Sequence, residues 1–413
     1  MPAYRRLLAA YAFNELAWSV GTLALSVLVY RRTGSAIGSA GFFICSQVLP
    51  ALVAPAMVAR LDRLSPRRVL PALYGLEAVL FGVLAWTTHH FVLVPVLALS
   101  LADGAVATTA RSLASAARAE ILKPVDLLHE GNAVANICFS AAFMAGPVIG
   151  GTVVVAGGTI AALLVNCGFF AIMALLLAVT HLPDFTAEPG SVWQRLRRGL
   201  AQTRSDGVLS RLLVLQFVGL VFFTITIPVE VVYTQHTLHA GAGGYGVLMG
   251  LWGAGAVAGS AIYARWRRRP AVLLIGGSAV ALTAGFTIMA IAPTLAVALV
   301  GAALAGAGNS VEWVSVKTTV QERTPANLMA MMMGLTESMS QLAPGIGIVL
   351  GGVITAVATA RVAIGVAAAG SLAFAIAVPI VFRHVTLPAL DAPVPADEEP
   401  DEEATWRRPQ SLV

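Results

Sequence analysis

Long apolar stretches alternate with short polar ones along this chain, and the length of the apolar stretches sets the class of protein. A helix needs about 20 apolar residues to cross a hydrocarbon layer of about 30 Å. Twelve stretches reach that length: 9–30, 37–58, 69–88, 91–111, 133–156, 159–181, 212–234, 243–264, 271–291, 294–315, 329–357 and 362–382. They are apolar on all faces, so no stripe faces a soluble core. A membrane β-barrel is excluded by the same pattern, because its strands are about ten residues long and alternate in polarity. Only Ala292-Pro293-Thr294 separates the ninth stretch from the tenth, which leaves no room for a soluble connector.

Composition sharpens this reading. Of 413 residues, 58% are hydrophobic and 11% charged, against about 25% charged in a soluble domain. A soluble core also stops growing beyond roughly 250–300 residues, whereas this chain stays apolar almost throughout. The predicted class is an all-α membrane protein of twelve transmembrane helices.

The net charge of +5 does not point to nucleic acid, because the basic residues sit in short loops between spans. Arg and Lys concentrate on the cytoplasmic side of bacterial membrane proteins. With the N-terminus inside, the inner loops take Arg5, Arg6, Arg60, Arg63, Arg67, Arg68, Arg118, Lys123, the 195–211 cluster, Arg265, Arg267, Arg268, Arg269, Lys317, Arg323, Arg383, Arg407 and Arg408, and only Arg31, Arg32 and Arg361 fall outside. One missed helix would scramble that alternation. The chain is therefore expected to be multi-pass in the bacterial cytoplasmic membrane, with both termini cytoplasmic. The first apolar run has the length of a span and lacks a clear small-residue cleavage site, so it is read as a helix rather than a cleaved leader.

The longest inner loop falls at the midpoint. Residues 1–182 are expected to form one six-helix bundle and 212–384 a second. Between them, 183–211 is a cytoplasmic linker whose segment Val192–Arg198 is amphipathic and suited to the membrane interface. Residues 385–413 form an acidic tail, with Asp397-Glu398-Glu399-Pro400-Asp401-Glu402-Glu403, too polar to bury a core and so expected to be disordered. Gly38, Gly41 and Ala59-Arg60 recur as Gly243, Gly246 and Ala264-Arg265 at a constant offset of 205, as two six-helix pseudo-repeats would give. Parallel repeats of this kind place a site between the halves, near mid-membrane.

Motifs then point to a family. Arg60-Leu61-Asp62-Arg63-Leu64-Ser65-Pro66-Arg67-Arg68, between the second and third spans, resembles the loop signature of the major facilitator superfamily. Asp62, Arg63, Arg67 and Arg68 match it, with Val58 and Ser65 where the family has glycine. The resemblance implies a conformational-switch loop that braces the two halves in one state. Gly146-Pro147-Val148-Ile149-Gly150-Gly151 resembles the glycine-proline motif of antiporters in that superfamily, carried here by Gly146, Pro147, Gly150 and Gly151. Leu28-Val29-Tyr30, Thr33-Gly34-Ser35, Leu49-Pro50, Ile227-Pro228-Val229-Glu230, Tyr245-Gly246 and Gln321-Glu322-Arg323-Thr324-Pro325 look like the macrolide/multidrug-efflux branch of drug–proton antiporters. Met329-Ala330 stands where that branch often has Gly-Arg. The resemblance spans about residues 4–384 and implies the major facilitator fold.

Ionisable groups inside spans cost roughly 2.5–3.5 kcal/mol at a helix centre by insertion scales, so they usually face a cavity or a partner. Glu15, Glu77, Asp103, Arg111, Glu230, Glu312 and Glu337 are the candidates for proton coupling or substrate binding. Glu230, two residues after Pro228, is the first choice. Arg111 lies two helical turns beyond Asp103, too far for a direct bridge, and either reaches the inner surface or pairs with a carboxylate from another helix. Glu337 sits in the polar run Thr336–Gln341, suited to a central cavity.

Signatures of other chemistry are missing from the sequence. There is no GxxxxGK[ST] phosphate loop and no HExxH. Cys45, Cys138 and Cys167 fall inside spans and form no CxxC pair. The histidines, His129 among them, lie mainly at loop ends and read as solvated. No enzyme activity, metal or cofactor is expected. The expected function is secondary transport: export of amphipathic drugs or small metabolites by proton antiport. The expected partners are a small-molecule substrate, protons and membrane lipid, with no nucleic acid, and the chain is expected to be a monomer. A specific metabolite exporter, a lysophospholipid flippase and a non-transporting scaffold or sensor are the alternatives.

Overall fold

In hydrocarbon each backbone N–H and C=O must be satisfied within the chain, and the long apolar runs answer this by forming helices. The computed structural model describes residues 2–33, 41–88, 91–184 and 190–383. The acidic tail and the stretch holding Gly34, Ser35 and Gly38 lie outside the described residues. So do His89, His90 and His384, as well as the side chain of Pro147. Among the described residues every regular element is helical.

Helix α1 spans Pro2–Thr33. Helix α2 spans Gly41–Leu61 and contains one π-helical turn, Ile44–Val48. Helices α3 (Pro66–Thr87) and α4 (Leu93–Leu122) follow. Next comes a helical run of 51 residues, Leu128–Ala178. At about 1.5 Å per residue it would be more than twice as long as a membrane is thick. Gly158 resolves this: its φ of 76° lies in the left-handed region that glycine enters without steric cost, and the run breaks there. The two pieces are α5 (128–157) and α6 (159–178). The eleven membrane-length helical segments among the described residues thus make twelve crossings, with the break at the position expected from sequence.

Helix α7, Val192–Ser205, opens on a capping box in which Ser191 and Gln194 satisfy each other's backbone. Helix α8, Gly207–Thr237, starts at Asp206, whose carboxylate accepts from the N–H groups of Val208 and Leu209. The remaining helices are α9 (Gly241–Trp266), α10 (Ala271–Ile291), α11 (Leu295–Glu322), α12 (Met329–Val357) and α13 (Ala360–Phe382).

Within the first six helices, α1 and α3 pack on the α5–α6 run and α2 packs on α4. Within the last six, α11 packs on α9 and α10, while α13 packs on α8 and α10. Small residues permit the tightest of these contacts. A Cβ on Gly255 or Gly259 of α9 would stand 2.0 or 2.3 Å from the carbonyl oxygens of Ala303 and Ala307 in α11. The two sets of six meet where α12 lies against α2 and α4, and where α5 lies against α9 and α11.

Candidate functional site

The surface between the first six and the last six helices holds the polar groups that have no place in lipid. Two cavities lie along it. The first is walled mainly by α1 to α4, with Trp18, Phe42 and Phe81 as its apolar lining and Gln341 of α12 closing it. Glu77 and Asp103 project into it. Glu77 is fully buried, and neither of its carboxylate oxygens has a hydrogen-bond partner; Asp103 Oδ1 is in the same position. The two carboxylates act on each other electrostatically, and Arg111, on the same wall, is the opposite charge within reach of both. The second cavity lies deeper toward the arginine-rich end, between α4, α8, α11 and α12. Its wall includes Ser115, Gln216, Trp313, Lys317, Glu337 and Ser340.

One ion pair separates the cavities and ties the halves together. Arg111 Nε of α4 stands 3.0 Å from Glu337 Oε1 of α12, with side chains 10% and 23% exposed. The partner on another helix is therefore what holds Arg111. Glu15 of α1 is buried, accepts from Asn14 Nδ2 at 3.4 Å, and feels the charges of Arg111, Glu337 and Lys317. Glu15, Arg111 and Glu337 thus converge, with Glu77 and Asp103 on the far side of Arg111.

Glu230 and Glu312 stand apart. Glu230 is buried in α8 beside Thr226, with Tyr245 of α9 within electrostatic reach. Glu312 is buried where α11 meets α8, close to Gly219. Neither lines the two cavities above.

At the arginine-rich end the halves are closed by buried side chains. Asn132 Nδ2 of α5 donates to Thr318 Oγ1 at 2.9 Å and to Gln321 Oε1 at 2.6 Å. One turn further on, Asn136 Nδ2 donates to Ser260 Oγ at 3.0 Å and Ser310 Oγ at 2.6 Å. His129 bridges Tyr263 Oη and Glu322 Oε1, each at 2.7 Å. This corrects the reading of His129 as a solvated loop-end residue: α9 and α11 cover the first turn of α5. Lys123 Nζ donates to the Thr324 carbonyl at 2.9 Å, and Glu130 pairs with Arg267 at 2.7 Å. Such amide bridges leave no signal in a single sequence, since an isolated Asn in an apolar run does not announce its partner.

The α2–α3 loop joins the same closure. Asp62 is buried and takes both terminal nitrogens of Arg195, a residue of α7 that is 1% exposed. Arg195 Nη1 also donates to the Ala59 carbonyl at 2.6 Å. The amphipathic linker helix is thereby pinned to the motif loop by a two-toothed arginine–carboxylate fork. Arg63, Arg67 and Arg68 of the motif are exposed. A second strap joins Asp206 to Arg323 at 2.8 Å. Partial burial works against the Asp206 charge, but the hydrogen bonds from Arg323 and from the Leu209 and Val208 amides outweigh it and hold the carboxyl below the usual aspartate range. In the glycine-proline motif, Gly146 lies against α1, where a Cβ would meet Ser19 Oγ at 2.3 Å. Gly150 is buried, and Gly151 has open space around it.

Twelve crossings, a mid-chain linker and a polar seam between two sets of six set the frame for comparison with known proteins. The Major Facilitator Superfamily model matches residues 7–347 and again 212–412. The chain belongs to the Major Facilitator Superfamily. Among curated proteins it is similar to the multidrug efflux pump Tap of Mycobacterium tuberculosis and of Mycobacterium bovis, 28% identical over 365 residues, covering 81% of this chain and 83% of the relative. Among solved structures it resembles the human organic anion transporter MFSD10, with a TM-score of 0.71 at 20% identity, covering 91% of this chain and 99% of the other. It also resembles a bacterial homologue of the iron transporter ferroportin in its outward-facing state, with a TM-score of 0.71 at 16% identity and coverage of 92% and 98%. The protein is a multi-pass membrane transporter of this superfamily and not an enzyme. The two structural likenesses concern the fold.

Proposed function

We propose that this transporter exports amphipathic small molecules by proton antiport, with residues 1–182 and 212–384 rocking about the polar seam. The arginine-rich end is the cytoplasmic side, the membrane is the bacterial cytoplasmic membrane, and the working unit is a monomer. The similarity to a multidrug efflux pump supports the export of drug-like molecules. The observation that carries the coupling is Glu77: a carboxylate buried mid-span, on a cavity wall, with no partner for either oxygen. An ionised carboxylate in that state is costly, so proton exchange at Glu77 is tied to whether the cavity is wet or closed. Asp103 beside it allows one proton to be shared between two acids. Arg111 and Glu337 link that exchange to the seam, because their bond joins the halves.

Alternating access then follows from the closures. The side chains bridging α5 to α9 and α11 hold the cytoplasmic end shut in this state. Opening inward requires them to part together with the Asp62–Arg195 fork.

The test is flux in proteoliposomes under an imposed proton gradient, over a panel of cationic, neutral and anionic amphiphiles, for wild type and Glu77→Gln. Gradient-driven flux of at least one compound, lost in Glu77→Gln while gradient-free counterflow persists, is the expected result. Flux that never exceeds empty liposomes would sink proton antiport, and full retention in Glu77→Gln would remove Glu77 from it.

A further inference from the structure

Two cations within the seam, Arg118 and Lys317, make no ion pair among the described residues. Arg111 is paired with Glu337. Arg118, one of the other two cations of the cluster, is 4% exposed, and its guanidinium carbon lies 4.2 Å from the centroid of the Tyr11 ring. Its Nη1 is buried and donates to nothing. Lys317, on α11, lines the second cavity and makes neither ion pair nor hydrogen bond among the described residues. Glu15, the remaining acid of this cluster, accepts from Asn14. Arg111 is thus engaged by Glu337, Glu15 and Glu77, whereas neither Arg118 nor Lys317 makes an ion pair with a carboxylate among the described residues. Arg118 and Lys317 act on each other as like charges. Ser115, three residues before Arg118 and so on the same face of α4, lines the second cavity together with Lys317.

A buried cation without an ion-pair partner is unstable in a low-dielectric site, and a second cation near it adds repulsion. A ligand anion between them would replace that repulsion with charge-assisted hydrogen bonds. The rest of the wall suits the body of an amphiphile: Phe217, Trp313 and Met339 are apolar and large, and methionine adapts to varied shapes. We propose that the second cavity is the subsite for an anionic group on the substrate, a carboxylate, sulfonate or phosphate, held by Lys317 with Arg118 behind it. This rests on the transport reading above and narrows its substrate class to amphiphiles that carry a negative charge.

The experiment is equilibrium dialysis of the full-length protein in phosphatidylcholine nanodiscs, with 1-pyrenebutyrate and a pyrenyl trimethylammonium of equal chain length as probes. Wild type should bind pyrenebutyrate at least tenfold more tightly than Lys317→Gln, Lys317→Arg should restore most of that affinity, and the ammonium probe should lose nothing in Lys317→Gln. Repeating the measurement with phosphatidylglycerol in the disc separates the sources of the anion: competition marks a lipid headgroup, and its absence marks a free solute. Lys317→Met adds a readout of its own, since removing an unpaired buried charge should leave the unfolding temperature at or above wild type. Equal pyrenebutyrate affinity in wild type and Lys317→Gln, or a marked destabilisation by Lys317→Met, would overturn the proposal. Dialysis involves no gradient, so loss of anion binding and loss of proton-driven flux are separate results.

Discussion

Removing the Arg195 side chain puts the linker strap to a quantitative test. The Arg195 guanidinium is 1% exposed and the Asp62 carboxylate 2%, so no water replaces what is lost. Arg195→Met keeps much of the aliphatic bulk but strands Asp62 as a buried charge, and also orphans the Ala59 carbonyl from its 2.6 Å donor. Breaking a buried pair by deleting one partner costs about 3–5 kcal/mol. At about 1.4 kcal/mol per decade, the local opening of α7 should become roughly a hundredfold to a few thousandfold more frequent. Hydrogen–deuterium exchange followed by mass spectrometry reads this directly on peptides covering 192–205 and 59–68. Asp62→Asn combined with Arg195→Met removes both charges, and the acceleration should fall below about tenfold, because the large term is the stranded carboxylate rather than the lost contact. Exchange within threefold of wild type in Arg195→Met would refute the idea that the fork pins α7. A double variant as fast as the single one would refute the assignment of the cost to charge.

Three further predictions concern other parts of the fold. Asn136→Ala removes the two bonds that tie Ser260 and Ser310, themselves hydrogen-bonded to each other, to α5 across the seam; at about 1 kcal/mol per lost bond, it should favour the state open at the arginine-rich end, read as faster maleimide labelling of a cysteine placed at position 133, which is buried in the same contact. Gly255→Val should lower the unfolding temperature by forcing α9 off the Ala303 carbonyl, with Gly277→Val, where a Cβ meets nothing within 4 Å, as the neutral comparison. Asp206 contributes stability that is present above the unfolded aspartate value of about 3.9 and is lost as pH falls through its lower folded value; Asp206→Asn keeps a helix cap but should flatten that acid limb in a pH series of unfolding midpoints.

The apolar pattern of the chain by itself determined the class of fold and the twelve crossings. Lipid leaves so few options for a backbone that length and polarity decide nearly everything. Even the division of the 51-residue helical run was legible, because Gly157-Gly158 interrupts an apolar stretch twice too long for one crossing. The cost of charge in hydrocarbon also made Glu15, Glu77, Asp103, Arg111 and Glu337 stand out in the sequence. Their grouping was a different matter. Sequence set Glu230 first, yet Glu77, Asp103 and Arg111 share a cavity wall while Glu230 sits in α8 beside Thr226. Only the crossing of α4 with α12 brought Arg111 to Glu337, 226 positions apart in the chain. Likewise Asn132, Asn136 and His129 are ordinary polar residues until α9 and α11 close over them, and Arg195 reads as one more basic residue of an inner loop until Asp62 is placed against it. Span length and the price of burial are local quantities and so are written along the chain. Which charge meets which is set by helix packing between distant segments, and that exists only in the folded molecule.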